Sequence, residues 1–322
     1  MIEQDRFNMF PHNSFRPEIE YEVEYLPTNM TDGPKLLCLG YGYTARAFAA
    51  LKRAEGWRIA GTTTSPEKVA AMKGDGVEAH VWSGGGFDAS WLDSVDAILV
   101  STPPGDAGCP AFNAASAAIA ERAKQFRWIG YLSTNGVYGD YDGAWVSEES
   151  DLRATSPRAL RRIEAEQTWL ALAEANNLPL IVFRLPGIYG PGHSAIDTVR
   201  AGKAKRIYKE GQVFSRMHVD DIAAALAASM EKPQTHHLYN LADDEPAPPQ
   251  DVIEYACALL GVDPPPLVAI EDADLSPMAK SFYADNKRVS NQRLKDALGI
   301  SLKYPTYREG LKAILAAEKE AL

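Results

Sequence analysis

With 322 residues, 46% of them hydrophobic and 24% charged, the chain has the make-up of a globular protein, which excludes collagen-like, fibrous and wholly disordered classes. Its 43 acidic against 33 basic residues leave a formal charge of −10, the wrong sign for a nucleic-acid partner, and no apolar run nears the ~18 residues of a membrane-spanning helix. Cys38, Cys109 and Cys257 are far apart and form no CxxC pair, which supports neither a zinc or other metal site nor a disulfide framework and fits a reducing cytoplasm.

Residues 1–32 mix acids with scattered aromatics and show no sustained period, so a disordered or mis-assigned leader is expected there, with an arm docking on a partner as the alternative. The opening MIEQDRFNMF lacks the basic start and apolar core of a secretory signal. From Lys35 apolar runs alternate with amphipathic ones. Strands are expected at 36–39, 58–61, 95–100, 128–133 and 180–184, and helices at 45–54, 66–72, 111–124, 160–176 and 219–230. Continuous apolar strands alternating with helices imply right-handed βαβ units, hence an α/β doubly wound parallel sheet of Rossmann type. Gly- and Pro-rich stretches after Arg184 suggest a smaller, discontinuous substrate lobe. The expected division is 33–185 plus 214–242 for the dinucleotide-binding domain, and 186–213 plus 243–322 for the lobe with a C-terminal helix.

Gly40-Tyr41-Gly42-Tyr43-Thr44-Ala45 is a G-x-G-x-x-A turn between the first strand and the first helix. Gly40 suits the tight turn, Gly42 admits a pyrophosphate against the backbone, and Ala45 permits close helix–sheet packing. The helix N-terminus adds free N–H groups and partial positive charge. About 20 residues past such glycines an NAD site usually carries an acid for the ribose 2′-hydroxyl. Here Gly61-Thr62-Thr63-Thr64-Ser65-Pro66-Glu67-Lys68 has none where the strand ends. Thr63, Thr64, Ser65 and Lys68, with Arg46 in support, suit a 2′-phosphate that no carboxylate repels, so NADP(H) is expected ahead of NAD(H).

Four segments in order, Gly40-x-Gly42-x-x-Ala45, Leu132-Ser133-Thr134-Asn135-Gly136-Val137-Tyr138-Gly139, Arg184-Leu185-Pro186-Gly187-Ile188-Tyr189-Gly190-Pro191 and His218-Val219-Asp220-Asp221, give a chain that resembles the extended short-chain dehydrogenase/reductase family, which includes nucleotide-sugar epimerases and dehydratases. The resemblance runs from about Lys35 to Leu315. It implies that Thr134 hydrogen-bonds the substrate oxygen, that Ser101, Thr102 and Pro103 pass the adenosine ribose, and that Pro186, Gly187 and Ile188 line the nicotinamide pocket. It places Arg216 and His218 where nucleotide-sugar enzymes bind the substrate diphosphate. It also likens the helices after Ala111 and Leu160 to the pair through which the family forms homodimers.

One departure matters for chemistry. Aligned on Glu166-Gln167, the family's Tyr and Lys positions hold Arg158 and Arg162. Arg162 can still bind the nicotinamide ribose, but a guanidinium releases no proton near neutral pH, so Arg158 is no general acid. This pattern is similar to the atypical members that have lost the Tyr. Replacement donors are Tyr138, Tyr189, His193 and His218, although the tyrosines read more simply as packing groups, and Glu148 and Glu149 as a solvated loop edge. Tyr138, Tyr189, Arg216 and His218 are therefore the candidate substrate contacts. Two functions remain: an NAD(P)-dependent oxidoreductase or epimerase-like enzyme on a small or nucleotide-linked hydroxyl/carbonyl substrate, and a non-catalytic NAD(P)-binding sensor or regulatory protein.

Overall fold

The computed structural model describes residues 33–232 and 236–320; the leader expected at 1–32 lies outside them. Seven parallel strands form the main sheet: β1 (Lys35–Leu39), β2 (Arg58–Thr63), β3 (Val77–Val81), β4 (Ala97–Val100), β5 (Trp128–Thr134), β7 (Leu180–Leu185) and β11 (Leu238–Asn240). Their order is β11-β7-β5-β4-β1-β2-β3, so the chain reverses direction across the sheet between β1 and β4. That is the doubly wound Rossmann topology, with its crevice at the carboxyl ends of β1 and β4.

Alternation along the buried strands feeds two cores. Leu36 and Cys38 face a cluster with Phe48 of α1 (Tyr43–Ala54) and Ile222 of α6 (Val219–Glu231). Leu37 and Leu39 face Ala115 of α3 (Pro110–Glu121) and Trp169 of α4 (Pro157–Asn176). Gly130 is fixed by its neighbour on the same face: a Cβ there would stand 2.3 Å from Cη2 of the fully buried Trp128. α4 starts on Ser156, whose side chain accepts the Ala159 N–H, with Pro157 next, and stops at Asn177 in the left-handed region (φ 52°).

The structure adds β3, which no apolar run announced. It is an edge strand, and of V-E-A-H-V only Val77 is buried. The segment expected as one helix at 66–72 is a 3₁₀ turn over Pro66–Lys68 followed by the short α2 (Val69–Gly74). Outside the main sheet, three two-stranded parallel ladders assemble: β8 (Gly187–Tyr189) with β10 (Arg216–His218), β9 (Arg206–Tyr208) with β12 (Leu267–Ala269), and β6 (Trp145–Val146) with β13 (Arg288–Val289). A third core joins α5 (Ala195–Arg200), α7 (Pro249–Leu260) and α10 (Tyr307–Glu320) through Ile196, Ala256, Leu311 and Ile314. The short α8 (Pro277–Ala284) precedes β13, and α9 (Gln292–Leu298) returns Leu294 and Leu298 to the main-sheet core.

Candidate dinucleotide and substrate site

Because the strands are parallel, the loops leaving β1, β2, β4, β5 and β7 share one edge of the sheet, and most of the sequence-derived candidates are carried there. The two glycines of the first loop have different reasons to be glycine. Gly40 has φ +95°, and a Cβ on it would lie 3.2 Å from the Ser101 carbonyl carbon and the Thr102 nitrogen. Its N–H donates to Thr62 Oγ1 (2.8 Å) and that of Tyr41 to the Thr62 carbonyl (2.8 Å), so β2 holds the loop from one side while Ser101, whose N–H donates to Leu39 O (2.9 Å), bounds it from the other. Gly42 has an ordinary φ of −89°, and a Cβ there would meet nothing within 4 Å. Its missing side chain serves no local packing; it keeps clear the space before α1. No side chain caps α1 and no acid stands in its first turn. Thr102 Oγ1, buried against Gly40, has no partner among the described residues. An uncapped helix N-terminus, cleared space and an orphaned hydroxyl fit a dinucleotide pyrophosphate.

Of the other loop residues, Thr44 and Ala45 are buried under the sheet edge. Tyr41 turns away and lies on β2, where a Cβ on Gly61 would stand 2.9 Å from its ring. Tyr43 spans to the turn after β8: its hydroxyl donates to Pro191 O (3.0 Å) and its ring centroid is 5.5 Å from that of the exposed His193. Pro103 is exposed beside Thr102.

The end of β2 differs from expectation in one respect. Thr63 Oγ1 accepts the Ser65 N–H (3.2 Å), and Thr64 and Lys68 are exposed. Two carboxylates are nonetheless present. The 3₁₀ turn brings Glu67 back to Ser65, and backbone and Ser65 hydrogen bonds hold its carboxyl below the usual range. Asp75, at the end of α2, takes Arg46 in an ion pair of 3.2 Å. Glu67 stands in the sequence but takes this place only through the turn, and Asp75 only through a contact across 29 residues.

At the end of β5, Thr134 Oγ1 accepts the Gly136 N–H (3.1 Å), which leaves its own O–H free to donate. Arg162, one turn into α4, donates to the Leu132 carbonyl, with its guanidinium 6.0 Å from the Tyr131 ring. A permanent cation is thus anchored two residues before Thr134. Arg158 is exposed and has no hydrogen bond or ion pair among the described residues. Between them Arg161 pairs with Asp106 (2.6 Å), tying the loop after β4 to α4.

The candidate substrate contacts are not all at this edge. Tyr138 is fully buried; its hydroxyl donates to Asn240 Oδ1 (2.7 Å) and accepts from Arg184 Nη1 (2.9 Å), and burial raises its pKa. Arg184 in turn pairs with buried Glu166 (2.7 Å). Tyr138 is therefore a packing group rather than a substrate contact. Tyr189, Arg216 and His218 share one face of the β8–β10 ladder, and that face is covered by the segment leading into α10. Tyr189 donates to Thr306 O (3.3 Å), and burial pushes its pKa well up. His218 Nδ1 accepts the Asp220 N–H (3.2 Å), and burial lowers its pKa, so the ring is a neutral cap for α6. Arg216 lies 5.5 Å over the Tyr307 ring, with Nη1 unpartnered among the described residues. A carboxylate that sequence reasoning missed, Asp243, is 2% exposed, and burial pushes its pKa up to about 8 despite Arg216. Beneath these, Gly187 is exposed while Pro186 and Ile188 are half-buried, so the segment proposed for the nicotinamide keeps an open edge. Glu148 is not solvated: its side chain is 2% exposed and accepts the Asn240 N–H (2.7 Å). Asn286 and Lys287 were also invisible, since their contacts with Asp140 Oδ1 (2.8 Å) and Gly139 O (2.7 Å) span more than 140 residues.

Fold and cradle together define a Rossmann-type protein whose glycine turn fits a dinucleotide pyrophosphate. Residues 113–242 match the model of the NAD dependent epimerase/dehydratase family. A structure from Silicibacter pomeroyi, titled a functionally unknown conserved protein, is 51% identical with TM-score 0.83, covering 88% of this chain and 99% of that one. Protein YeeZ of Escherichia coli (strain K12) is 26% identical over 291 residues, 84% of this chain and 96% of that protein. The fold is shared with dTDP-glucose 4,6-dehydratase from Bacillus anthracis in complex with NAD, at 19% identity and TM-score 0.69 over 89% and 97% of the two chains.

Proposed function

We propose that this chain binds NADP(H), with NAD(H) the weaker ligand, and acts as an oxidoreductase or epimerase-like enzyme on a small or nucleotide-linked hydroxyl/carbonyl substrate. The observation that carries the reading is the pairing of a cleared pyrophosphate cradle at Gly42 with a free hydroxyl donor at Thr134 on the same sheet edge. Exposed Lys68 and Thr64, with no acid inside the end of β2, support NADP(H). The fold shared with an NAD-bound nucleotide-sugar dehydratase supports the substrate class. When bound, the nicotinamide supplies or removes hydride. Gly42 and the α1 N-terminus hold the phosphates, Thr134 O–H orients and stabilises the substrate oxygen, and Arg162 keeps positive charge beside it. With Tyr138, Tyr189 and His218 buried, the proton passes through His193, exposed at the Tyr43 side of the cleft, or through water. We include a homodimer through α3 and α4 in this reading; Leu160 of α4 is exposed.

A second reading, a dinucleotide-binding sensor without turnover, is favoured by Arg158, which stands exposed and unpaired where the family's proton donor belongs. Calorimetry with NADPH and NADH, followed by NADPH oxidation over a panel of aldehydes, ketones and keto-sugar nucleotides, tests the first reading. Tight binding with no turnover anywhere selects the second.

A further inference from the structure

Two strands of the main sheet run apolar and then turn polar at matching positions. In β5, Ile129 and Tyr131 face α4, and the next residue on that side is Ser133; in β7, Leu180 and Val182 are followed by Arg184. Ser133 and Arg184 are neighbours in the ladder, and both are buried. Glu166 of α4, itself 2% exposed, closes this polar layer. It accepts the Ser133 O–H, and its two oxygens take Arg184 Nε (3.2 Å each) and Nη2 (2.7 Å). One residue beyond Ser133 stands Thr134, and two beyond Arg184 stands Pro186. The pairing of β5 with β4 stops at Tyr131, so Leu132, Ser133 and Thr134 are held in the sheet by β7 alone. Two bonds to one face of α4 steady that projecting end: Arg162 on the Leu132 carbonyl and, one turn on, Glu166 on the Ser133 hydroxyl.

We infer that Glu166 is a positioning residue: by tying the free end of β5 and the exit of β7 to α4, it holds Thr134, Arg162 and the Pro186 segment at the spacing that grips the nicotinamide end of the dinucleotide. The inference rests on the dinucleotide site proposed above. A buried ion pair is poor support for stability, since apolar residues of the same volume often serve as well. What this one supplies is geometry. A carboxylate accepting from a hydroxyl on one strand and from a guanidinium fork on the next fixes both strand ends in distance and direction, which a greasy contact does not. Site groups need such support from behind, because a displacement of about 1 Å is enough to spoil their action. The pyrophosphate cradle at Gly40 and Gly42 is built from β1, β2 and the loop after β4, and Glu166 touches none of them. Its loss should therefore be felt at one end of the ligand only.

The test is calorimetric titration of the full chain with NADPH and with ADP-ribose 2′-phosphate, the same ligand without its nicotinamide. Wild type, S133A, E166Q and Y138F are compared, with the emission of bound NADPH read alongside and melting curves to check folding. S133A removes one hydroxyl and leaves the Glu166–Arg184 pair whole. Y138F is the control: it cuts the bond from Arg184 Nη1 in the same network but leaves the Ser133–Glu166 bond alone. S133A is expected to weaken NADPH about three- to tenfold, the worth of one bond to a charged group, and to return its emission toward that of the free ligand. ADP-ribose 2′-phosphate should bind S133A as it binds wild type. E166Q should go at least as far in the same direction, and Y138F should lower the melting temperature while keeping NADPH affinity and emission. If E166Q does not fold, S133A against Y138F decides. Unchanged NADPH affinity and emission in S133A, beside a wild type that binds NADPH, overturns the inference and leaves the dinucleotide site standing. So does an equal loss in Y138F, which would mark a general loosening, or a loss of ADP-ribose 2′-phosphate in S133A. Binding of neither ligand by wild type overturns the dinucleotide site and the inference with it.

Discussion

Replacing Gly42 by valine should separate binding from folding. The residue has φ −89°, open to any L-amino acid, and a Cβ there meets no atom within 4 Å, so no steric cost is expected. Two small terms remain. A branched aliphatic residue is a poorer N-cap than glycine by about 1 kcal/mol, while stiffening the unfolded chain returns about 0.4–1 kcal/mol. They nearly cancel, so the melting temperature should move by a few degrees at most. The effect on a dinucleotide is of another size. The valine side chain fills the space before the α1 N-terminus, pushing the pyrophosphate off the free N–H groups and the helix dipole. Two charge-assisted contacts at about 1.5–3 kcal/mol each amount to at least a hundredfold loss of affinity. The assay is NADPH calorimetry beside differential scanning calorimetry. Gly40→Ala is the control, since φ +95° and atoms at 3.2 Å make that change costly to folding itself. Undiminished NADPH binding by Gly42→Val, or a melting temperature lowered by ten degrees or more, would refute the reasoning.

Other perturbations test the surrounding frame. Gly130→Ala drives a methyl into buried Trp128 and should destabilise by about 1–3 kcal/mol, measured by urea unfolding. Tyr138→Phe leaves Arg184 Nη1 and Asn240 Oδ1 without their partner and should cost about 1–3 kcal/mol in the same assay. Gly190→Ala places a Cβ 2.5 Å from the Tyr43 hydroxyl and should break its bond to Pro191, seen as faster amide exchange over 190–200. The raised pKa of Asp243, about 8 in the folded chain, gives stability that is complete below about pH 4 and lost as pH rises toward 8. Asp243→Asn, neutral throughout, should therefore gain on wild type by up to about 1.4 kcal/mol per pH unit between pH 5 and 8, followed by melting temperature against pH.

The parts of the molecule legible from sequence are those fixed by local chemistry. Leu36 to Leu39 followed by Gly40-x-Gly42 specify a buried strand and a tight turn within ten residues, and the structure has both. The edge strand β3 escaped because a strand with one solvent-facing side and no partner beyond it needs no apolar run. Alternation along Arg216-Met217-His218 puts the arginine and histidine on one face, but only the fold shows that Tyr304 and Tyr307 cover that face. Glu148 looks like a loop acid until Asn240 arrives from 92 residues away to bind it. Glu67 was in plain view, yet its bond to Ser65 depends on a 3₁₀ turn where a helix was expected.

The measurement closest to the central claim is NADPH oxidation by wild type, Arg158→Tyr and Thr134→Ala over one carbonyl panel, each with its NADPH affinity measured alongside. A site whose proton must come through His193 or water should turn over slowly in wild type. Arg158→Tyr should raise that rate about a hundredfold, the low end of the 10²–10⁴-fold range of general acid catalysis, at unchanged NADPH affinity. Thr134→Ala should lower it. Tight NADPH binding with no turnover by any of the three proteins would contradict the enzymatic reading and leave a dinucleotide sensor in its place.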